Sequence, residues 1–237
     1  MTATLAPATL FSIGSFPITN TVVDTFLVDA VVLSLAFYIN KNVSVIPTFF
    51  QTIIELAVEQ FHSLTESTAG EHTAKIFPFV MSFFIFILVA NYSELIPVIT
   101  GITVNHEPLV RSTSSDLNTT LALALISIIA THTMSIRTIG VKAYLNRFFS
   151  LNPIALFSGL LELISEFTKI ISFSFRLFGN IFVGGVILAS ISAVFAFILP
   201  SVVLFYELFV GFIQATIFAL LTMAFMSIFT TAHSGME

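Results

Sequence analysis

Apolar residues run through this chain in blocks too long for a soluble core, with polar residues confined to a few places between and inside them. A helix needs about 20 apolar residues to cross the ~30 Å hydrocarbon core of a bilayer. Residues 22–40 meet that length, approached through Pro17 and Asn20 and closed by Asn40 and Lys41. Residues 75–96 predict a second span and residues 117–138 a third, opened by Asp116 at an N-cap position. Residues 47–62 differ. Phe49, Phe50, Ile53, Ile54, Ala57, Val58 and Phe61 recur at helical spacing, with Gln51, Glu55, Glu59 and Gln60 between them. That pattern predicts an amphipathic helix lying in the membrane interface. Thr65 to Thr73 is polar and contains Gly70, so it reads as a loop.

The last third of the chain has almost no turn chemistry. Residues 153–199, followed by residues 201–230 after Pro200, are each too long for one upright crossing. At 1.5 Å per residue the first would run ~70 Å as a single helix. It either breaks near Gly179-Asn180 or Gly184-Gly185, or lies steeply tilted. Residues 1–21 form an N-terminal segment outside the first span, with no basic stretch of a cleaved signal peptide. The expected fold is one membrane domain over residues 1–237: an all-α polytopic membrane protein with about five crossings and one interfacial helix.

Composition agrees with membrane as the solvent. Hydrophobic residues make up 57% of the chain and charged residues 9%, against roughly a quarter charged in soluble domains. The chain has 28 Phe and no Trp, so the usual indole markers of the interface are missing. It has no Cys, and its five His are scattered without a His-x-x-x-His pair, so no metal site is expected; His132 and His233 read as loop or interface residues, with a proton-relay role as the alternative. The net charge of −5 includes no basic patch for nucleic acid. Three crossings put Lys41, Lys75, Arg137, Lys142 and Arg147 on one side and Arg111 on the other. The positive-inside rule makes the first side internal and starts the N-terminus outside.

Inside the last two apolar segments runs a line of polar residues. Glu162, Lys169 and Arg176 are spaced by sevens, which keeps them on one helix face over ~21 Å. Ser165 and Glu166 lie beside that stripe, Asn180 extends it, and Glu207 and Gln214 repeat the spacing in the final segment. Ionisable groups strung across a membrane are what a proton path requires. A guanidinium cannot relay a proton, because it does not release one. It can block a path and favour the ionised form of a nearby carboxylate. The alternative is structural: Arg176 pairs with Glu162, Glu166 or Glu207.

Arg-Leu-Phe-Gly-Asn at 176–180, with Glu-Leu-Phe-Val-Gly-Phe-Ile-Gln at 207–214, resembles subunit a of the rotary F-type ATP synthase. The likeness extends to Asn91-Tyr-Ser-Glu94-Leu-Ile-Pro97, to Ser115-Asp116-Leu-Asn118-Thr-Thr120, and to the stretch from Glu162 to Lys169. It therefore covers essentially the whole chain in order. The resemblance implies a non-catalytic membrane subunit without cofactors, whose last two helices form a long, strongly tilted hairpin against a rotating ring of c subunits. It assigns Arg176 to the ring carboxylate and to the barrier between two aqueous half-channels. Asn91, Glu94, Asp116, Asn180, Glu207 and Gln214 would serve the inlet, although N-capping explains Asp116 equally well. Glu162, Ser165 and Lys169 would serve the outlet.

One position departs from many relatives, which carry Glu or His nine residues after the arginine. Here that residue is Gly185, next to Gly184, which leaves Glu207 to supply the titrating group of the inlet. Glu55 and Glu59 would either meet b-type peripheral stalk subunits or remain a solvated acidic face. The implied cargo is the proton, with sodium as the alternative. The expected location is a bacterial plasma membrane, with the mitochondrial inner membrane as the alternative. A secondary transporter with an intramembrane Arg/Glu site is the competing function, but it would typically show inverted repeats, and none is evident.

Overall fold

The computed structural model describes residues 7–14, 16–93, 95–96, 103–104, 107–149, 153–194 and 198–231. Among them helices dominate. Two short antiparallel hairpins are the exceptions, one of β1 (Thr9–Ile13) with β2 (Phe16–Thr19), the other of β3 (Thr103–Val104) with β4 (Glu107–Pro108). Helix α1 (Asn20–Asn42) starts where the Thr19 hydroxyl accepts the Val22 amide, which satisfies one of the unpaired donors of the first turn.

Helix α2 (Phe49–Ala69) is capped in the same way by Thr48 and runs seven residues beyond the predicted end at His62. The polar run read as a loop from Thr65 is therefore largely helical. Its hydroxyls explain why: Thr65 donates to the Phe61 carbonyl at 2.6 Å and Thr68 to the Leu64 carbonyl at 2.8 Å. Such back-bonding lets Ser and Thr sit inside a helix with their polar atoms satisfied. The chain then reverses through Gly70, at φ 51°, and a 3₁₀ turn (Gly70–His72) into α3 (Thr73–Ser93). Phe61 and Phe84 stack at 4.5 Å although 23 positions apart, so α2 and α3 form a tight helical hairpin.

Helix α4 (Leu117–Ile139) follows a 3₁₀ turn (Thr113–Ser115), and Gly140, at φ 85°, turns it into the short α5 (Val141–Phe148). The last two helices are α6 (Pro153–Val194), of 42 residues, and α7 (Ile198–Thr231), of 34 residues. Helix α6 passes Gly179 and Gly184 without a break, which removes the broken-helix alternative. At 1.5 Å per residue it is ~63 Å long, twice the hydrocarbon thickness, so an apolar rod of this length must tilt to stay in lipid.

Five helical stretches among the described residues are long and apolar enough to cross a membrane. The fold is an all-α polytopic membrane protein. Its core lies where α3, α4, α6 and α7 meet: Ile87, Ala124, Leu177, Ala215 and Met226 are fully enclosed or nearly so. Phe218 of α7 joins Phe83 of α3 at 5.4 Å to Phe173 of α6 at 4.9 Å. This packing fixes the rotation of α6 and α7, and with it the direction in which their polar residues point.

Candidate functional site

Helix α6 carries Arg176 on an exposed face, between neighbours Phe173 and Leu177 that turn into the core. The guanidinium donates from Nη2 to Ser172 Oγ, one turn earlier, at 3.2 Å. No carboxylate of the described residues lies within ion-pair distance of it. Gln214 of α7 borders the same small crevice as Arg176, so the two polar residues line it from the two helices of the hairpin.

The carboxylates that could have neutralised Arg176 are held elsewhere. Glu162 receives a two-pronged guanidinium: Arg147 of α5 donates from Nε to Glu162 Oε2 at 2.9 Å and from Nη2 to Oε1. The same guanidinium stacks on the Phe229 ring, 4.1 Å from its centroid. Glu166 takes a hydrogen bond from Lys169 Nζ at 2.6 Å and stands 3.5 Å from His132 Nε2. Lys169 in turn lies over the Phe225 ring at 4.0 Å. The structural alternative for Arg176, a salt bridge within this chain to Glu162, Glu166 or Glu207, is not what the geometry shows.

Further along α6, beyond Arg176, a cavity of about 110 Å³ opens between α3, α6 and α7. Asn91, Asn180, Gly184, Tyr206 and Glu207 contribute to its wall. Asn91 is buried and donates from Nδ2 to the Gly211 carbonyl at 3.0 Å, which pins α3 to α7. Its Oδ1 and Glu207 Oε1 are both enclosed without a partner. Buried polar atoms of this kind are normally satisfied by water, and the volume suffices for several molecules. A Cβ on Gly184 would lie 2.7 Å from Glu207 Oε1, so only glycine lets the carboxylate rest against α6 here.

The remaining expected site residues divide. Ser165 is exposed on α6, on the Glu162 side of Arg176. Asp116 caps α4 by accepting the Asn118 amide at 2.9 Å and accepts from Thr21 Oγ1 of α1 at 3.1 Å, so it is not part of the cavity wall. Glu94 lies outside the described residues.

Four participants were not singled out from the sequence as site residues. Arg147 was read only as a topology charge, and Glu166 as a polar residue beside the stripe and a structural partner for Arg176. His132 stood as a lone imidazole in an apolar helix, and Tyr144 carried no signal at all. Their convergence depends on Gly140 folding α5 back toward α4 and α6, which residue spacing does not reveal.

Comparison with known proteins bears on the whole of this arrangement. The sequence model of the ATP synthase A chain family matches residues 22–227. The ATP synthase subunit a of Moorella thermoacetica is 33% identical over 227 residues, 96% of this chain and 98% of that protein. The subunit a proteins of Mycobacterium bovis and Mycobacterium marinum are 35% and 34% identical, each over 88% of this chain and 86% of theirs. Bacterial relatives and five apolar crossings make this an integral protein of a bacterial plasma membrane. The chain belongs to the ATP synthase subunit a family, and so to the membrane sector of the F-type enzyme.

Proposed function

We propose that this chain is the proton-translocating stator subunit of its ATP synthase, with two offset half-channels that meet at Arg176 against a rotating c-ring. The observation that carries the reading is the isolation of that arginine. A permanent cation at membrane depth costs at least ~2.5–3.5 kcal/mol on insertion scales and ordinarily finds an internal partner. Arg176 instead faces outward with no carboxylate of the described residues within ion-pair distance, while Glu162 and Glu166 are occupied by other cations. A carboxylate brought by another subunit is the partner this geometry invites.

With the side bearing Lys41, Arg137 and Arg147 inside, the Asn91–Glu207 cavity lies on the outer side of Arg176. It forms the inlet with Asn180 and Gln214; Glu94 and Asp116 join it by resemblance. The outlet is the opposite polar cluster, with Glu162, Ser165 and Lys169. A proton enters through the cavity, passes Glu207 and neutralises a ring carboxylate, which can then turn into lipid at little electrostatic cost. After nearly a full turn the carboxyl meets Arg176, whose charge favours release of the proton toward Glu162. Each proton falling through 100 mV supplies about 2.3 kcal/mol to rotation. Any leak past Arg176 wastes that amount. Peripheral stalk b subunits are placed on the inner side, where Glu55 and Glu59 of α2 are exposed.

The test is ATP-driven proton pumping and passive proton leak in vesicles that contain the assembled complex with Arg176→Ala. Loss of pumping with a raised leak is expected. Normal pumping would reduce Arg176 to a packing residue and overturn the reading.

A further inference from the structure

Where α4, α5 and α6 converge, one imidazole sits between a phenol and a carboxylate. His132 of α4 places Nε2 3.5 Å from Glu166 Oε2, and its Nδ1 is hydrogen-bonded to Tyr144 Oη of α5 at 3.0 Å. From α7 the Phe229 ring meets it edge to face, with centroids 5.2 Å apart. The other charged groups nearby are engaged with one another. Arg147 of α5 forks onto Glu162, and Lys169 holds Glu166 Oε1 while lying over Phe225 and Phe229. His132 is thus the neutral-or-cationic member of a cluster whose permanent charges are already balanced in pairs.

We infer that His132, with Glu166 and Tyr144 at its two nitrogens, is a proton-carrying group of the inner half-channel; this rests on the stator reading above. Glu162 alone is a poor carrier as built, because both its oxygens accept guanidinium hydrogen bonds and a neutral carboxyl there would leave the Arg147 cation without its partner charge. An imidazole has no such constraint here, because it binds a proton at one nitrogen and releases one from the other. The step balances. A proton arriving along Glu166 forms the Nε2–H bond and gives an imidazolium beside the carboxylate. The Nδ1–H bond then breaks, its proton goes to the Tyr144 oxygen, and the phenol's own proton leaves to water. The ring then turns so that its bare nitrogen faces Glu166 again, carrying the remaining N–H proton with it, and no proton moves back.

Tyr144 suits this part as a neutral conduit. Burial, and next the Glu166 carboxylate, push its phenol above the ordinary value, so it passes a proton without holding a negative charge. Tyr144 belongs to the short helix α5, whose Lys142 and Asn146 are exposed.

The experiment compares proton pumping per assembled complex in vesicles carrying the wild type, His132→Gln, Tyr144→Phe and Arg176→Ala, over a range of pH on the inner side. General acid–base groups typically contribute 10²–10⁴-fold. His132→Gln is expected to lower pumping at least about tenfold and to change its profile against inner-side pH. Tyr144→Phe, which keeps the packing and removes the hydroxyl that takes the proton, is expected to lower the rate as well and to keep the wild-type profile. Wild-type rates and pH profile in both variants would overturn the inference. So would a loss that only tracks the amount of complex assembled, with an unchanged profile in what remains. Normal pumping by Arg176→Ala would instead overturn the stator reading itself, so the two failures are distinguishable.

Discussion

Glu207 and Gly184 show how one missing methyl group can set the position of a carboxylate. Glu207 Oε1 is enclosed without a partner, and it lies where a Cβ on residue 184 would stand, 2.7 Å away. Gly184→Ala must push the carboxylate off α6 into the cavity, while Glu207→Gln leaves the shape and removes the titrating group. Gly184→Ala is therefore expected to lower proton flux several-fold, and Glu207→Gln to lower it by the 10²-fold or more of a lost acid–base group. Both are read as pumping rates at equal complex content; near-normal flux in Glu207→Gln would remove it from the path. The sequence made Glu207 visible, because a carboxylate seven positions before Gln214 in an apolar helix has few structural uses. The Gly184-Gly185 pair read as a candidate break in the helix and as the place of a missing acid, not as the surface on which Glu207 rests. That the group packed against Gly184 is Glu207 follows from how α6 and α7 pair, and single-chain periodicity does not determine that.

Helix α6 joins the polar clusters only because it is one rod. Its composition left a break and a tilt equally open, since glycines inside a helix weaken it by only ~1 kcal/mol each and packing against α4 and α7 can absorb that. The polar run at the end of α2 was misread for a related reason: hydroxyls that solvate a loop equally well bond the preceding helical turn. Junctions between elements were the least legible. Gly159 near the start of α6 lies so close to α5 that a Cβ would collide with the Phe148 carbonyl and come within 2.8 Å of its Cα. Since this obstacle is backbone, Gly159→Ala must move α5 as a unit. The Arg147–Glu162 fork and the Tyr144–His132 contact would loosen together. Gly159→Ala is thus expected to lower proton pumping and the thermal stability of the complex in parallel. An unaltered melting profile with wild-type pumping would show that α5 contributes nothing to the outlet.

At the scale of the whole molecule, α1 stands apart, with most of its surface exposed and its attachment concentrated at its first turns. There Asp24, 0% exposed, accepts from the Thr113 amide at 2.6 Å, Thr113 Oγ1 at 2.8 Å and Ser93 Oγ at 3.1 Å. Thr21 adds its bond to Asp116. One aspartate therefore ties α1 to α3 and to the turn before α4. This clasp is also the largest feature that was not legible in the sequence, where Asp24 sat unremarked near the start of an apolar span. Asp24→Ala leaves the buried Thr113 amide without an acceptor, at about 1–3 kcal/mol for a group left unsatisfied, while the Ser93 and Thr113 hydroxyls keep the Ala90 carbonyl and Thr25 Oγ1 as partners. The damage should be confined to the attachment of α1, since neither the Glu207 cavity nor the His132 cluster includes a residue of that helix. Asp24→Ala is thus expected to lower the dissociation temperature of the complex while each surviving complex pumps at the wild-type rate. Arg176→Ala should do the reverse, leaving assembly intact and abolishing pumping. If Asp24→Ala instead lowered pumping per complex with assembly unchanged, the clasp would have to be counted as part of the outer proton path, and α1 would no longer be a passive attachment.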